Sequence, residues 1–240
     1  MKYLFLSFLL LASTLINAQS IQDFLKKANV SLPSSKSGAS SDQIANGLKE
    51  ALQIGAENGC AKLSRPDGFF KNAALKILMP PEAQKIESTL RSIGLGNIAD
   101  DFILSMNRAA EDACKTAGPI FLKAIKEITI TDGINILQGA DNAATNYLKT
   151  KTQKELTDSF KPVINQSLEK VDATKYWGKV IDAYNAIPFT SNKLNPDLAG
   201  YVTEKSLTGI YTEIAAQEKE IRSNPMARTT ELLKTVFNRK

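Results

Sequence analysis

Between positions 44 and 237 apolar residues recur mostly at intervals of three and four, the spacing of helices that each bury one stripe. Ile44, Leu48, Leu52 and Leu63 open the series behind Asp42, a residue type that caps helices. The R-P-D-G turn at 65–68 ends that segment, and Phe69 and Phe70 follow as expected core anchors. Leu75, Ile77 and Met79 then alternate ahead of Pro80-Pro81, a period of two that predicts an extended segment. Pro81 opens a helix in which Ile86, Leu90 and Ile93 are expected to face inward, with Gly94 as its C-cap. A long helix is expected over 97–117, broken or kinked at Gly118-Pro119 and continued by a second piece over 120–128.

Short polar signals punctuate the rest. Asp132 is placed to cap a helix ending at Gly139, and Asp141 to cap the next. Thr152 and Glu155 have the spacing of a capping box, and Pro162 is expected to interrupt or kink the helix that follows. Asp172 heads a segment whose Trp177, Val180, Ile181, Tyr184 and Ile187 form one apolar face. Residues 188–196 read as a loop. Asn195-Pro196 starts a short helix, a longer one runs to Ile221, and Asn224-Pro225 starts the last, with Leu232, Leu233, Val236 and Phe237. The fold class expected is all-α, a single domain of about eight or nine helices with a long kinked central helix and no solenoid repeat.

The N-terminus breaks the pattern. Lys2, an apolar run over 3–11 and a small, polar stretch to Ala18 have the layout of a secretory signal peptide cut after Ala18. The run falls short of the ~20 apolar residues that span a bilayer. The first cysteine is Cys60, so a lipid-anchored form is not expected, and no later segment is apolar enough to cross a membrane. Residues 19–41 read as a flexible Ser-rich linker and 42–240 as the helical domain. The expected location is the periplasm.

An oxidising compartment gives the two cysteines, Cys60 and Cys114, two possible states. They form a disulfide tying two helices, or they are buried thiols that pack as small apolar residues. Charge adds a further choice. Lys and Arg number 30 against 25 Asp and Glu, a formal +5. Without Lys2 of the expected signal peptide the excess is +4, and from Ile221 onward five basic residues face Glu231 alone, so that excess resides in the tail. It either meets an anionic partner or surface, or is a solvated terminal helix whose charge complements its C-terminal dipole. Nucleic acid is not expected, since no aromatic-basic alternation accompanies the charge.

Histidine is absent, which removes Ser-His-Asp and Cys-His catalysis and the common zinc sites. No C-x-x-C is present, and no cofactor or metal motif is recognised. The G-x-G-x-x-A at 94–99 follows a helix rather than a strand, so it reads as a helix–helix turn. The S-x-x-K at 167–170 lacks its companion motifs and reads as a solvated face. Asn107, Arg108 and Glu111 lie beside Met106, Ala109, Ala110 and Ala113, where polar side chains would be partly buried and need partners. Asp132, Asp141, Thr145 and Tyr147 follow. These residues either line a polar pocket with Glu111 and an Asp as acid and base, or serve as caps and ion pairs.

The segments GLKEAL (47–52), DGFFKN (67–72), SMNRAAE (105–111), DGINILQG (132–139), AATNYL (143–148), NPDLAGYVTEKSLTGIY (195–211) and IRSNPMARTTELLKTVF (221–237) give the chain a family resemblance. It resembles the bacterial family known as domain of unknown function 4197 over nearly all of the chain after the linker. The resemblance implies a secreted or envelope-located helical protein and transfers no catalytic residue. It marks Asn107, Arg108, Glu111, Asp132, Thr145, Tyr147, Arg222, Pro225, Arg228 and Thr229 as motif positions. The leading expectation is a non-enzymatic binding or interaction protein whose partner is an envelope protein, a lipid or a small ligand. The rival is a carboxylate-based hydrolase or lyase using Glu111 with Asp132 or Asp141. A third reading is a self-associating structural protein. The sequence itself sets no oligomeric state.

Overall fold

A computed structural model describes residues 40–185 and 195–237. The expected signal peptide, most of the expected linker, residues 186–194 with Ile187 and most of the expected 188–196 loop, and residues 238–240 lie outside these described residues.

Helix α1, Ser41–Leu63, is capped two residues earlier than Asp42 would place it. The Ser40 side chain accepts from the Gln43 N–H, and the Gln43 side chain accepts from the Ser40 N–H. Its apolar stripe, Ile44, Leu48, Leu52 and Leu63, is buried as the spacing predicts. The chain then turns at Asp67, whose φ is +71°, and buries Phe69 completely. Residues 75–80 run without helix, as expected before two prolines. A 3₁₀ turn at Pro81–Ala83 leads into α2, Gln84–Ser92.

Gly94 closes α2 with φ +81°, and the Leu95 N–H donates to the Leu90 carbonyl at 2.8 Å, a Schellman end. Ile86 and Leu90 pack against the core, but Ile93 is 63% exposed, contrary to its inward assignment. The helix ends at Ser92, so Ile93 lies in the turn and leaves the stripe.

The segment expected to break or kink at Gly118-Pro119 is broken into two helices. Helix α3 spans Gly96–Cys114 and α4 spans Ala117–Lys126. The break falls at Lys115 and Thr116, ahead of Gly118-Pro119. Pro119 thereby sits in the first turn of α4, where its missing N–H leaves no bond unmade. Helix α5 is Ile130–Gln138, and α6 is the long central helix, Ala143–Glu169, with Pro162 inside it removing one rung of its ladder. Helix α7 is Ala173–Asn185 and α8 is Leu198–Ser223, a single helix capped by the Asp197 side chain on the Gly200 N–H. A 3₁₀ turn at Pro225–Ala227 precedes α9, Glu231–Phe237.

The described residues thus form nine α-helices and no strand, which bears out the all-α expectation. Helices α6 and α8 pack along each other at the centre, with α3 against both. Helix α1 meets α4, α5, α8 and α9. Phe69, Phe121 and Phe160 are fully buried, each contributing about 1.5–3 kcal/mol over an exposed position. Phe69 reaches its place because Gly209 of α8 has no side chain: a Cβ there would lie 2.5 Å from the Phe69 ring.

Candidate functional site

Polar residues on these apolar helix faces gather in two clusters. In the first, Asn107 on α3 is fully buried. Its side-chain oxygen accepts from the Ile77 N–H at 2.9 Å, and its amide nitrogen donates to the Ile77 carbonyl at 2.8 Å. The carboxamide therefore does for the extended segment what a neighbouring strand would do. One turn later Glu111, also buried, accepts from the Phe69 and Phe70 N–H groups at 3.1 and 3.3 Å. Its other oxygen takes a 2.6 Å bond from Arg108, which also binds Asp67 at 2.7 Å. Bonds from Lys71 and Arg108 hold the Asp67 carboxyl below the usual carboxylate range. Asn107, Arg108 and Glu111 together pin the 65–80 segment onto α3.

The second cluster joins helix ends. The first amides of a helix have no partner inside it. Those of Ala144 and Thr145 in α6 donate to the carboxylate of Glu218 on α8, at 3.0 and 2.8 Å, and the Thr145 hydroxyl adds a 2.7 Å bond. Arg222, one turn along α8, pairs with Glu218 at 2.8 Å and donates to the Ile136 and Leu137 carbonyls at the end of α5. Both side chains are nearly buried, at 12% and 7% exposure. Arg228 is buried too and donates to the Ile221 and Arg222 carbonyls, closing the C-terminus of α8. One carboxylate and two guanidiniums thus satisfy ends of three helices.

Beside this node lies a small apolar cleft of about 20 Å³, room for about one water-sized group. Leu48, Ala51 and Gly55 of α1 form one wall, Ile214 and Ile221 of α8 another, and Phe237 of α9 a third. Glu218 and Arg222 line its edge, and Arg222 also lies 6.0 Å from the Phe237 ring centre.

Several expected roles are corrected by this geometry. Asp132 is not the cap of α5. Thr129 is, and Asp132 completes a capping box by accepting from the Thr129 N–H at 3.0 Å. That bond and the Thr129 hydroxyl hold its carboxyl low, with Tyr147 adding to the effect. Tyr147, in turn, titrates above its ordinary value through burial and the Asp132 charge. Thr152 caps nothing: it lies inside α6, bonds the Leu148 carbonyl at 2.7 Å and meets the Tyr211 hydroxyl at 2.9 Å. Asp141 makes no side-chain cap, since the N-cap position of α6 is Asn142 and the first amides of the helix belong to Glu218. Asp141 and Thr229 are exposed.

The acid–base pairing is not assembled. Glu111 is bonded to the 69–70 backbone, Asp132 to Thr129, and Asp141 faces solvent. A general acid needs a raised carboxyl, and Asp132 moves the other way. Of the basic tail, Arg222 and Arg228 turn inward and Lys234 pairs with Glu231 at 2.6 Å, while Arg239 and Lys240 lie outside the described residues. Cys60 and Cys114 are free and buried, with burial pushing the Cys60 thiol up to about 12 and Cys114 higher than its ordinary value. Among the described residues no cluster of His, Cys, Asp and Glu is placed to hold a metal, and no helix is long and apolar enough to cross a membrane.

Sequence reasoning missed Glu218. A carboxylate four residues before an arginine on a helix reads as a surface ion pair. Only its spacing from apolar Ile214 and Ile221 hinted at a buried position.

Fold and site together define an all-α protein in which buried Asn107, Glu111, Glu218 and Arg228 bond backbone groups of neighbouring segments. The sequence profile of the family described as protein of unknown function (DUF4197) matches residues 38–238, and the chain belongs to that family. No curated protein and no solved structure matches it.

Proposed function

We propose that the chain is a secreted, non-enzymatic helical binding protein of the cell envelope. Its binding site is the apolar cleft between α1, α6, α8 and α9, which takes the aliphatic end of a small ligand or lipid. The observation that carries this reading is the pairing of a preformed apolar hollow with a rigid polar rim. Glu218 and Arg222 are already bonded to the ends of α5 and α6, so they fix the walls and are not free for chemistry. The volume admits one methyl-sized group, so the ligand inserts an end and otherwise lies across the surface.

Native mass spectrometry of the chain recovered from the envelope tests this. Wild type should carry an added mass, and Gly55→Ala should not. A Cβ at Gly55 meets only Gln217 at an ordinary 3.5 Å, so the added methyl takes up the space of the cleft without displacing backbone. A bare wild-type chain, or equal occupancy in the variant, would overturn the assignment. The same spectra under denaturing conditions read cleavage after Ala18.

A further inference from the structure

The α2–α3 hairpin ends in an apolar tip. Ile93 is 63% exposed, Leu95 43% and Ile98 51%, within six residues of chain. Helix α2 buries none of its residues completely and packs chiefly on α3 and the 3₁₀ turn before it. Space around the turn is open, for a Cβ on Gly94 would meet nothing within 4 Å. The turn is nonetheless firmly built. The Leu95 N–H closes it on Leu90, and Arg91 clamps Glu87 of α2 to Asp100 of α3 at 2.8 and 2.7 Å. A helix–helix turn has no need of three aliphatic side chains exposed within six residues, and apolar side chains exposed so close together point to a contact site.

We infer that this tip inserts into the interfacial layer of a zwitterionic bilayer. The tip is convex, so it needs a host that can flow around it or one with a matching pocket. Its exposed apolar area is on the order of 300 Å², well under the ~800 Å² per partner of a stable protein interface, which argues against a second copy as occupant. The Glu87–Arg91–Asp100 cluster beside it sets two carboxylates against one guanidinium, a net negative charge that does not favour anionic lipid. The tip contains no residue of the cleft. The inference rests on the envelope placement proposed above.

The test is vesicle flotation of the chain recovered from the envelope, beside Ile93→Ser/Leu95→Ser/Ile98→Ser with the same N-terminus. The vesicles are phosphatidylcholine and phosphatidylethanolamine. Wild type should float, equally at about 50 and 500 mM salt. The triple variant should lose about fiftyfold or more in partition, in line with three part-exposed aliphatic side chains leaving an apolar environment. Equal melting temperatures check the fold, and Ile93→Ser alone, with about a five- to twentyfold loss, serves if the triple variant does not fold. Equal partition of wild type and variants overturns the inference. So does binding that requires anionic lipid and fades with salt, or a tip-dependent dimer indifferent to vesicles. None of these outcomes alters the mass-spectrometric test of the cleft, so the two proposals fail separately.

Discussion

Glu218→Ala removes the residue on which two helix ends depend. It leaves the Ala144 and Thr145 amides and the Thr145 hydroxyl without acceptors, and takes the counter-charge from a nearly buried Arg222. A buried group left unpaired costs about 1–3 kcal/mol, and breaking a buried ion pair about 3–5 kcal/mol. These contributions overlap, because the same carboxylate supplies all of them. Water reaching Thr145 and the carbonyls retained by Arg222 offset part of the loss. The expected cost is therefore about 4 kcal/mol. For a domain near 200 residues that is a melting temperature roughly 10 °C lower. Glu218→Gln keeps one acceptor oxygen and should cost about half as much. Urea unfolding followed by circular dichroism measures both, with Glu231→Ala as a control at an exposed ion pair, expected within about 0.5 kcal/mol of wild type. A Glu218→Ala cost below about 1 kcal/mol, no more than an exposed ion pair gives, would refute the reasoning, since the amides would then have other acceptors.

Three further expectations follow from the same contacts. Asn107→Leu keeps the volume but strands the Ile77 N–H and carbonyl, so urea unfolding should show a loss of about 2–5 kcal/mol. The Asp132 carboxyl is held below its unfolded value, so its stabilisation is present at neutral pH and lost as pH falls through the lowered folded value. Asp132→Asn should therefore be destabilised at pH 7, with the gap to wild type closing below about pH 4, as paired unfolding curves would read. With the Cys60 thiol pushed up to about 12 and Cys114 buried completely, Ellman's reagent at pH 8 should find no reactive thiol in the native chain and both once it is denatured.

The helices were legible because a buried stripe leaves a period of three or four in any sequence. Ile44, Leu48 and Leu52 needed no knowledge of their neighbours. Caps were legible only as a neighbourhood. Asp42 and Asp132 each lie inside a capping box whose N-cap is Ser40 or Thr129, and the choice depends on where the backbone leaves the helical region. Asn107 and Glu111 could be recognised as polar residues on a small-residue face that would need partners. That those partners are the backbones of Ile77, Phe69 and Phe70, 30 to 42 residues away, depends on tertiary packing. Glu218 was hidden for the same reason, at 73 and 74 residues from the amides it receives. Arg222 and Arg228 read as surface charge because composition counts a guanidinium without showing which carbonyls it faces. Ile93 misled in the opposite direction: its spacing continues the stripe of α2, but the helix ends one residue too soon to turn it inward.

Residue-resolved amide hydrogen exchange tests the central claim, that the buried polar residues hold backbone groups, most directly. The amides of Phe69, Phe70, Ile77, Ala144 and Thr145 are given side-chain acceptors by Glu111, Asn107 and Glu218. They should exchange nearly as slowly as amides in the middle of α6, and those of Ala144 and Thr145 should become fast in Glu218→Ala. Exchange of all five at the rate of an open loop in the wild-type chain would contradict the account.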